Sequence, residues 1–240
     1  MNAHPTSGGV PALETRNLAK SFTLHVQGGM RLSVLSGIDL AVAPGECVVL
    51  DGPSGAGKST LMRMLYGNYR AERGEILVQH DGEVVDLALA QPRLALEIRR
   101  RTLGYISQFL RVIPRVPTIE IVAEPLRTLG LEESAARERA SVLLDRLALP
   151  RPLWQLPPAT FSGGEQQRVN IARGLIARHP ILLVDEPTAS LDAENRARVV
   201  TLLQEARAAG AAIVAICHDA IAREALATRL FTLPPRDLAA

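Results

Sequence analysis

Two glycine-rich stretches lying roughly a hundred residues apart carry groups suited to polyphosphate: GPSGAGKST at positions 52–60 and FSGGEQQRVNIARG at 161–174. In the first, Gly52, Gly55 and Gly57, with Pro53, Ser54 and Ala56 among them, let the backbone turn tightly and present successive N–H groups to phosphate oxygens. The helix expected next points the positive end of its dipole the same way. Lys58 is placed to reach the β and γ phosphates, and the Ser59 hydroxyl, followed by Thr60, to ligate Mg²⁺. Of 27 basic residues only Lys20 and Lys58 are lysine, and a compact ammonium suits a point contact that a guanidinium fork would not fit. In the second stretch, Ser162 stands three residues before Glu165, the spacing of a capping box, and Gly163 and Gly164 leave the first N–H groups of that helix bare. Taken alone, such a serine marks only a helix start. Two unlike phosphate grips in one chain point to ATP clamped between subunits.

Carboxylates and a histidine fall where a hydrolytic site needs them. The apolar run 181–184 reads as a buried parallel strand and ends in Asp185 and Glu186, followed by Pro187. Adjacent side chains at a strand end point to opposite sides, so the two take different jobs. Asp185 is expected to hold Mg²⁺ through its water shell, and Glu186 to orient or deprotonate the attacking water. A further run, 211–217, delivers His218 to the edge of the sheet where open α/β folds bind ligands.

The elements that must position these groups are legible at coarse grain. Residues 47–50 form a strand entering the first glycine loop, and Leu61, Met62, Met64 and Leu65 mark the buried side of the helix leaving it. Residues 13–42 alternate in short runs, as an antiparallel sheet does, and 74–87 read as a hairpin. From 91 to about 158 the pattern turns helical, with Ala136, Ala140, Leu143, Leu144 and Leu147 on one face; a second amphipathic helix covers about 193–209. The expected fold is α/β, and the family resemblance set out below implies a P-loop NTPase (RecA-like) parallel sheet core with an N-terminal antiparallel β-subdomain and an inserted α-helical subdomain. One domain accounts for residues 1–240, with the core at 13–90 and 166–233 and the lobe at 91–165.

Composition narrows the function. A chain of 240 residues, 47% hydrophobic, buries a good core, and a net charge of +2 makes no case for a nucleic-acid surface. Arg99 to Arg101 read as a solvated helix face or a docking patch. Cys47 and Cys217 both fall in expected buried strands, as reduced packing residues do. The polar opening MNAHPTSGG is unlike a signal peptide, and no apolar run reaches the length of a bilayer span, so the expectation is a cytoplasmic protein without a direct membrane span. The short stretch that follows the strand carrying His218 leads to the expectation that no regulatory domain is appended. Asp51, just before the phosphate loop, would repel phosphate, so it must face away or be paired.

Six motifs in order resemble those of ABC-type ATPases over residues 13–233: GPSGAGKST the Walker A motif, Ser107-Gln108 the Q-loop, FSGGEQQR the ABC signature, ILLVDEP Walker B, Ser190-Leu191-Asp192 the D-loop, and His218 the switch histidine. The resemblance implies that Gln108 touches Mg²⁺ and the water, that Asp192 supports a dimer contact, and that ATP and Mg²⁺ are the cofactors. It places Phe22 against adenine, although a phenylalanine on a sheet also serves as core packing. Phe161, Glu165 and Cys217 depart mildly from the common pattern. A signature at the end of a projecting lobe meets the ATP of a partner, either a second copy or a second ABC-type subunit, in a head-to-tail dimer. The segments SFTLHVQGG, ECVVLDGPSGAGKSTL, SQFLRVIPR, FSGGEQQRVNIARG and DEPTASLDA together further resemble the ATP-binding L subunits of bacterial carbon-phosphorus lyase systems. That implies the other lyase subunits as partners, and a link to formation of ribose 1-phosphonate 5-triphosphate. The alternatives are an ATPase subunit powering a membrane ABC transporter and an assembly protein that ATP merely staples. Residues 109–119, apolar and stiffened by Pro114 and Pro117, are either the lobe's contact with what it drives or a plain surface loop.

Overall fold

The structure, a computed structural model, describes residues 10–24, 30–110 and 114–234. Part of the 109–119 segment therefore lies outside the described residues, as does the 1–9 opening. Within the described residues the strands form two sheets. Antiparallel β1 (Leu13–Leu24) and β2 (Met30–Val42) join β4 (Arg73–His80) and β5 (Glu83–Asp86) in the order β2-β1-β4-β5. The second sheet is wholly parallel: β3 (Cys47–Asp51), β6 (Leu103–Ile106), β7 (Ile181–Asp185), β8 (Ala212–Ile216) and β9 (Arg229–Thr232) run in the order β6-β7-β8-β3-β9.

The parallel strands β3, β7 and β8 read as apolar runs because both of their faces are covered. Alternate side chains feed two cores. Val48, Leu50, Ile181, Leu183, Ala212 and Val214 join α1 (Lys58–Leu65) and the antiparallel sheet. Cys47, Val49, Leu182, Val184, Ile213 and Ala215 join five further helices: α3 (Thr118–Thr128), α4 (Glu133–Arg146), α5 (Gly163–Leu175), α6 (Ala193–Ala208) and α7 (Ala220–Leu226). Each fully buried Leu or Ile contributes about 1.5–3 kcal/mol. Ala136, Ala140, Leu144 and Leu147 are buried as their spacing requires. Burial pushes both free cysteine thiols, Cys47 and Cys217, up to about 12, as inert packing groups.

One expectation needs correction, and two elements follow within the expected core where none was read. The range 91–165 is not helical throughout: after α2 (Pro92–Arg101) the chain lays down β6, an edge strand of the parallel core, so core structure reaches into the lobe's expected range. Four residues, Leu-Gly-Tyr-Ile, are too few for a period to show between helical stretches. The chain also continues past His218 into α7 and β9, which closes the opposite edge of the sheet beside β3.

β6 is packed tightly enough to require Gly104. A Cβ there would lie 2.7 Å from Nδ1 of buried His179. Burial lowers the pKa of His179 below its ordinary 6.5, against the smaller opposing effect of the Arg100 carbonyl, 3.3 Å from Nε2. The unfolded chain takes up this proton near pH 6.5 and the folded chain resists it. Stability is therefore complete above that pH and declines as pH falls through it toward the lower folded value. Melting temperatures at pH 7.5 and 5.5 should show this fall, and a His179→Gln variant should show less of it; an identical acid slope in the variant excludes His179 as the source.

Candidate ATP-binding and hydrolysis site

Four neighbouring strands bring the chemistry to one edge. The phosphate loop follows β3, Gln108 follows β6, Asp185 ends β7 with Glu186 next, and His218 follows β8 by two residues. This is the carboxyl edge of a parallel sheet, where open α/β folds bind ligands.

The loop is shaped by positive φ at Gly52 (137°), Gly55 (81°) and Gly57 (99°). Gly57 is the N-cap of α1 and offers no side-chain hydrogen bond, so the first N–H groups of the helix stay available to an anion. It has a second reason to be glycine: a Cβ would meet Leu35 Cδ2 at 2.8 Å. Pro53, Ser54 and Gly55 are exposed, and a Cβ on Gly55 would meet only open space. Ala56 is buried, Ser59 exposed and Thr60 half-buried. Lys58 Nζ donates to the carbonyls of Gly52 (2.7 Å) and Pro53 (3.0 Å), which holds its charge inside the loop. Asp51 turns away from this loop, toward Arg223 of α7, 3.8 Å distant. That supplies the pairing its position demanded, although a half-exposed pair this long stabilises little.

Gln108, Glu186 and His218 converge. Gln108 Nε2 donates to Glu186 Oε2 (3.1 Å), while His218 Nε2 lies 3.1 Å from Oε1. Glu186 itself adopts φ 50°, the left-handed region that non-glycine residues seldom occupy, and its N–H is tied to the Ile216 carbonyl of β8 (2.9 Å). That unusual backbone aims the carboxylate at the groups from β6 and β8 rather than along the strand. Asp185 is buried, with Oδ2 accepting from the Tyr105 hydroxyl at 3.1 Å. Burial pushes its carboxyl above the usual range, against the effect of that hydrogen bond. The adjacent carboxylates thus have separate partners, as their alternation requires.

Phe22 is half-buried, edge-on to Tyr69 (5.5 Å between centroids, 75° between planes), with Lys20 Nζ 5.2 Å from its ring centre. It pairs across the sheet with Leu32, which is three residues, about 10 Å of strand, from the Leu35 that touches Gly57. The ring therefore packs on the sheet.

At the signature the capping box is complete: Ser162 Oγ accepts from the Glu165 N–H (3.3 Å), and Glu165 Oε2 accepts from the Ser162 hydroxyl (2.7 Å) and the Ser162 N–H (2.8 Å), which lower the Glu165 pKa in that order. Ser162 and Gly163 are exposed. Gly164 is held against the segment after Glu186, since a Cβ there would come within 2.9 Å of the Ser190 carbonyl. Gln167, which sequence reasoning did not single out, donates to the Pro187 carbonyl from a buried position (3.2 Å). Asp192 is engaged within its own chain: it caps α6 through the Asn195 N–H (2.8 Å) and also accepts from the Asn195 side chain, whose oxygen takes a bond from Arg168.

The donor set fits Mg-ATP: an uncapped helix N-terminus, a lysine in the loop, a hydroxyl and a carboxylate for the cation, and a separately held carboxylate for water. Sequence comparison agrees with this chemistry, since a profile of the family described as "ABC transporter" matches residues 35–189. The chain belongs to the ABC transporter family. It carries that family's ATPase fold, and ATP hydrolysis is its activity.

Among its relatives, the lipoprotein-releasing system ATP-binding protein LolD of Hyphomonas neptunium is 39% identical over 210 residues, covering 87% of this chain and 89% of the relative. The cell division ATP-binding protein FtsE of Bacillus subtilis is 35% identical, covering 78% and 80%. The solved dimer of the ATP-binding cassette MJ0796 bound to ADP and Pi superposes with a TM-score of 0.83 at 28% identity, covering 92% of this chain and 94% of the other. A further solved structure of that bacterial ABC transporter cassette is also dimeric. These relatives are not carbon-phosphorus lyase subunits, so the finer resemblance drawn from sequence receives no support from them. Among the described residues, no helix is long and apolar enough to cross a membrane.

Proposed function

We propose that this chain is the ATP-hydrolysing subunit of a head-to-tail dimer that drives conformational change in a membrane permease. The observation that carries the dimer is the exposed pair Ser162 and Gly163 at the start of α5, distant from this chain's own phosphate loop in sequence and open to a second molecule. The permease rests on the relatives, whose names place them in lipoprotein release, cell division and, at 39% identity over 31% of its length, macrolide export by MacB of Wolinella succinogenes. Bound Mg²⁺ would supply charge neutralisation for the β and γ phosphates. Ser59 and Asp185 are the residues for it, with Gln108 beside them. Gly52 to Thr60 cradle the phosphates, Phe22 meets the base, and residues 162–165 close over the partner's γ phosphate. Glu186 takes the proton of the attacking water, held by Gln108 and His218.

A second reading has one specific support, the segments at 21–29, 46–61, 107–115, 161–174 and 185–193 that together resemble carbon-phosphorus lyase ATP-binding subunits. In it the driven partner is the lyase complex, working at the step that yields ribose 1-phosphonate 5-triphosphate. Affinity purification of the tagged chain from membrane and soluble fractions of cells grown on a phosphonate separates the readings: a permease in the membrane fraction supports the first, lyase subunits in the soluble fraction the second.

Binding itself is testable without a partner. A charged hydrogen bond contributes about 1.5–3 kcal/mol, so Lys58→Ala should weaken ATP about 10- to 100-fold by calorimetry. Unchanged affinity removes Lys58 from the phosphate site.

A further inference from the structure

We propose that Tyr105 is a positioning residue for Asp185, its phenol fixing the carboxylate in the orientation that serves the cation of Mg-ATP. The inference rests on the assignment of Asp185 above. β6 and β7 are in parallel register, with Tyr105 beside Leu183, so Asp185 lies two residues further along on the same face. The Tyr105 hydroxyl reaches across to Oδ2 at 3.1 Å.

What distinguishes this contact from incidental packing is how the ring is held. Tyr105 stacks on Tyr66 at 5.0 Å with 30° between planes, and Tyr66 is the C-cap residue of α1, the helix that begins at the phosphate loop. Arg99 of α2 fixes Tyr66 in turn, with its guanidinium 4.8 Å from the ring centre and Nε donating to the Tyr66 carbonyl at 2.8 Å. The phenol is therefore set by both ends of the site: the helix that presents the phosphate loop and the strand that presents the carboxylate. With Oδ2 engaged, Oδ1 is the oxygen left for the cation's shell. A buried carboxylate without this donor keeps its place in the strand but loses the constraint on its rotation about χ2.

The test uses the full chain and a non-hydrolysable ATP analogue, titrated by calorimetry with and without Mn²⁺. The quantity read is the factor by which Mn²⁺ tightens the analogue. Partners that orient a direct metal ligand cost about 10- to 100-fold when removed. Asp185 acts through water, so Tyr105→Phe, which keeps the ring stack, should reduce that factor by about 3- to 10-fold. Affinity in the absence of Mn²⁺ should stay at the wild-type value, a result that disturbed packing would not give. Asp185→Asn is the control. If it lowers the factor and Tyr105→Phe does not, the positioning role is overturned and the Asp185 assignment stands. If Asp185→Asn leaves the factor unchanged, the assignment falls and this inference with it. Equal loss of affinity with and without Mn²⁺ in Tyr105→Phe also overturns the proposal, since the ring would then serve packing alone.

Discussion

Glu186→Gln is expected to reduce ATP turnover by about 10²- to 10⁴-fold, the range general-base catalysis supplies, while leaving a stable dimer in ATP and Mg²⁺. The substitution is nearly isosteric, and the site tells what it changes. Glu186 now accepts from Gln108 on one oxygen and lies against His218 on the other. A glutamine keeps one accepting oxygen but replaces the other with an NH₂ group, which cannot take a proton from water. The left-handed backbone at φ 50° is set by the bond to Ile216 and stays as it is. Because the γ phosphate is never lost, the contact across the dimer persists. Phosphate release and light scattering together make the check. Turnover within threefold of wild type would remove Glu186 as base, and a monomer in ATP and Mg²⁺ would contradict the clamp. A purified wild-type complex that consumed ATP no faster than this variant would instead revive the reading in which ATP only staples subunits.

Ser162→Arg is expected to abolish ATPase activity while each monomer still binds ATP. The exposed serine at the start of α5 would be replaced by a long cation in the space assigned to the partner's phosphate. The capping box adds a consequence that sequence alone undervalues. Losing the bond from the Glu165 N–H to Ser162 costs about 1 kcal/mol, or about 2–4 °C in melting temperature for a domain of this size. Ser162→Ala separates the two effects, because it removes the cap without crowding. The arginine variant in a Glu186→Gln background should elute as monomer with ATP, and the alanine variant as dimer. Normal ATPase activity in Ser162→Arg would show that the signature does not meet nucleotide.

Much of the site was legible because its parts are local. Glycine spacing, a Ser-to-Glu interval of three and apolar runs ending in acids each encode a loop, a cap or a strand within ten residues of sequence. Those runs also placed β3, β7 and β8 in one parallel sheet, from which the meeting of Glu186 and His218 followed. What was not legible is pairing at a distance. Tyr105 and Asp185 stand 80 residues apart and Gln167 and Pro187 stand 20 apart, and no periodicity links either pair. β6 and β9 are four residues each, and β9 carries Arg229 and Thr232 in place of an apolar run, so neither announces a strand. Asp51 advertised a need for a partner without naming it, since Arg223 lies on a helix absent from the sequence reading. The requirement for glycine at 104 depends on a histidine from another element and is invisible locally.

The scarcity of lysine has a practical consequence. Lys58 sits within the phosphate loop and Lys20 beside the Phe22 ring, so under the proposed function an amine-directed acylating reagent finds both of its side-chain targets around a single ligand. The mass added to the chain, compared with and without bound nucleotide, would then serve as a footprint of occupancy that twenty-five arginines leave unobscured.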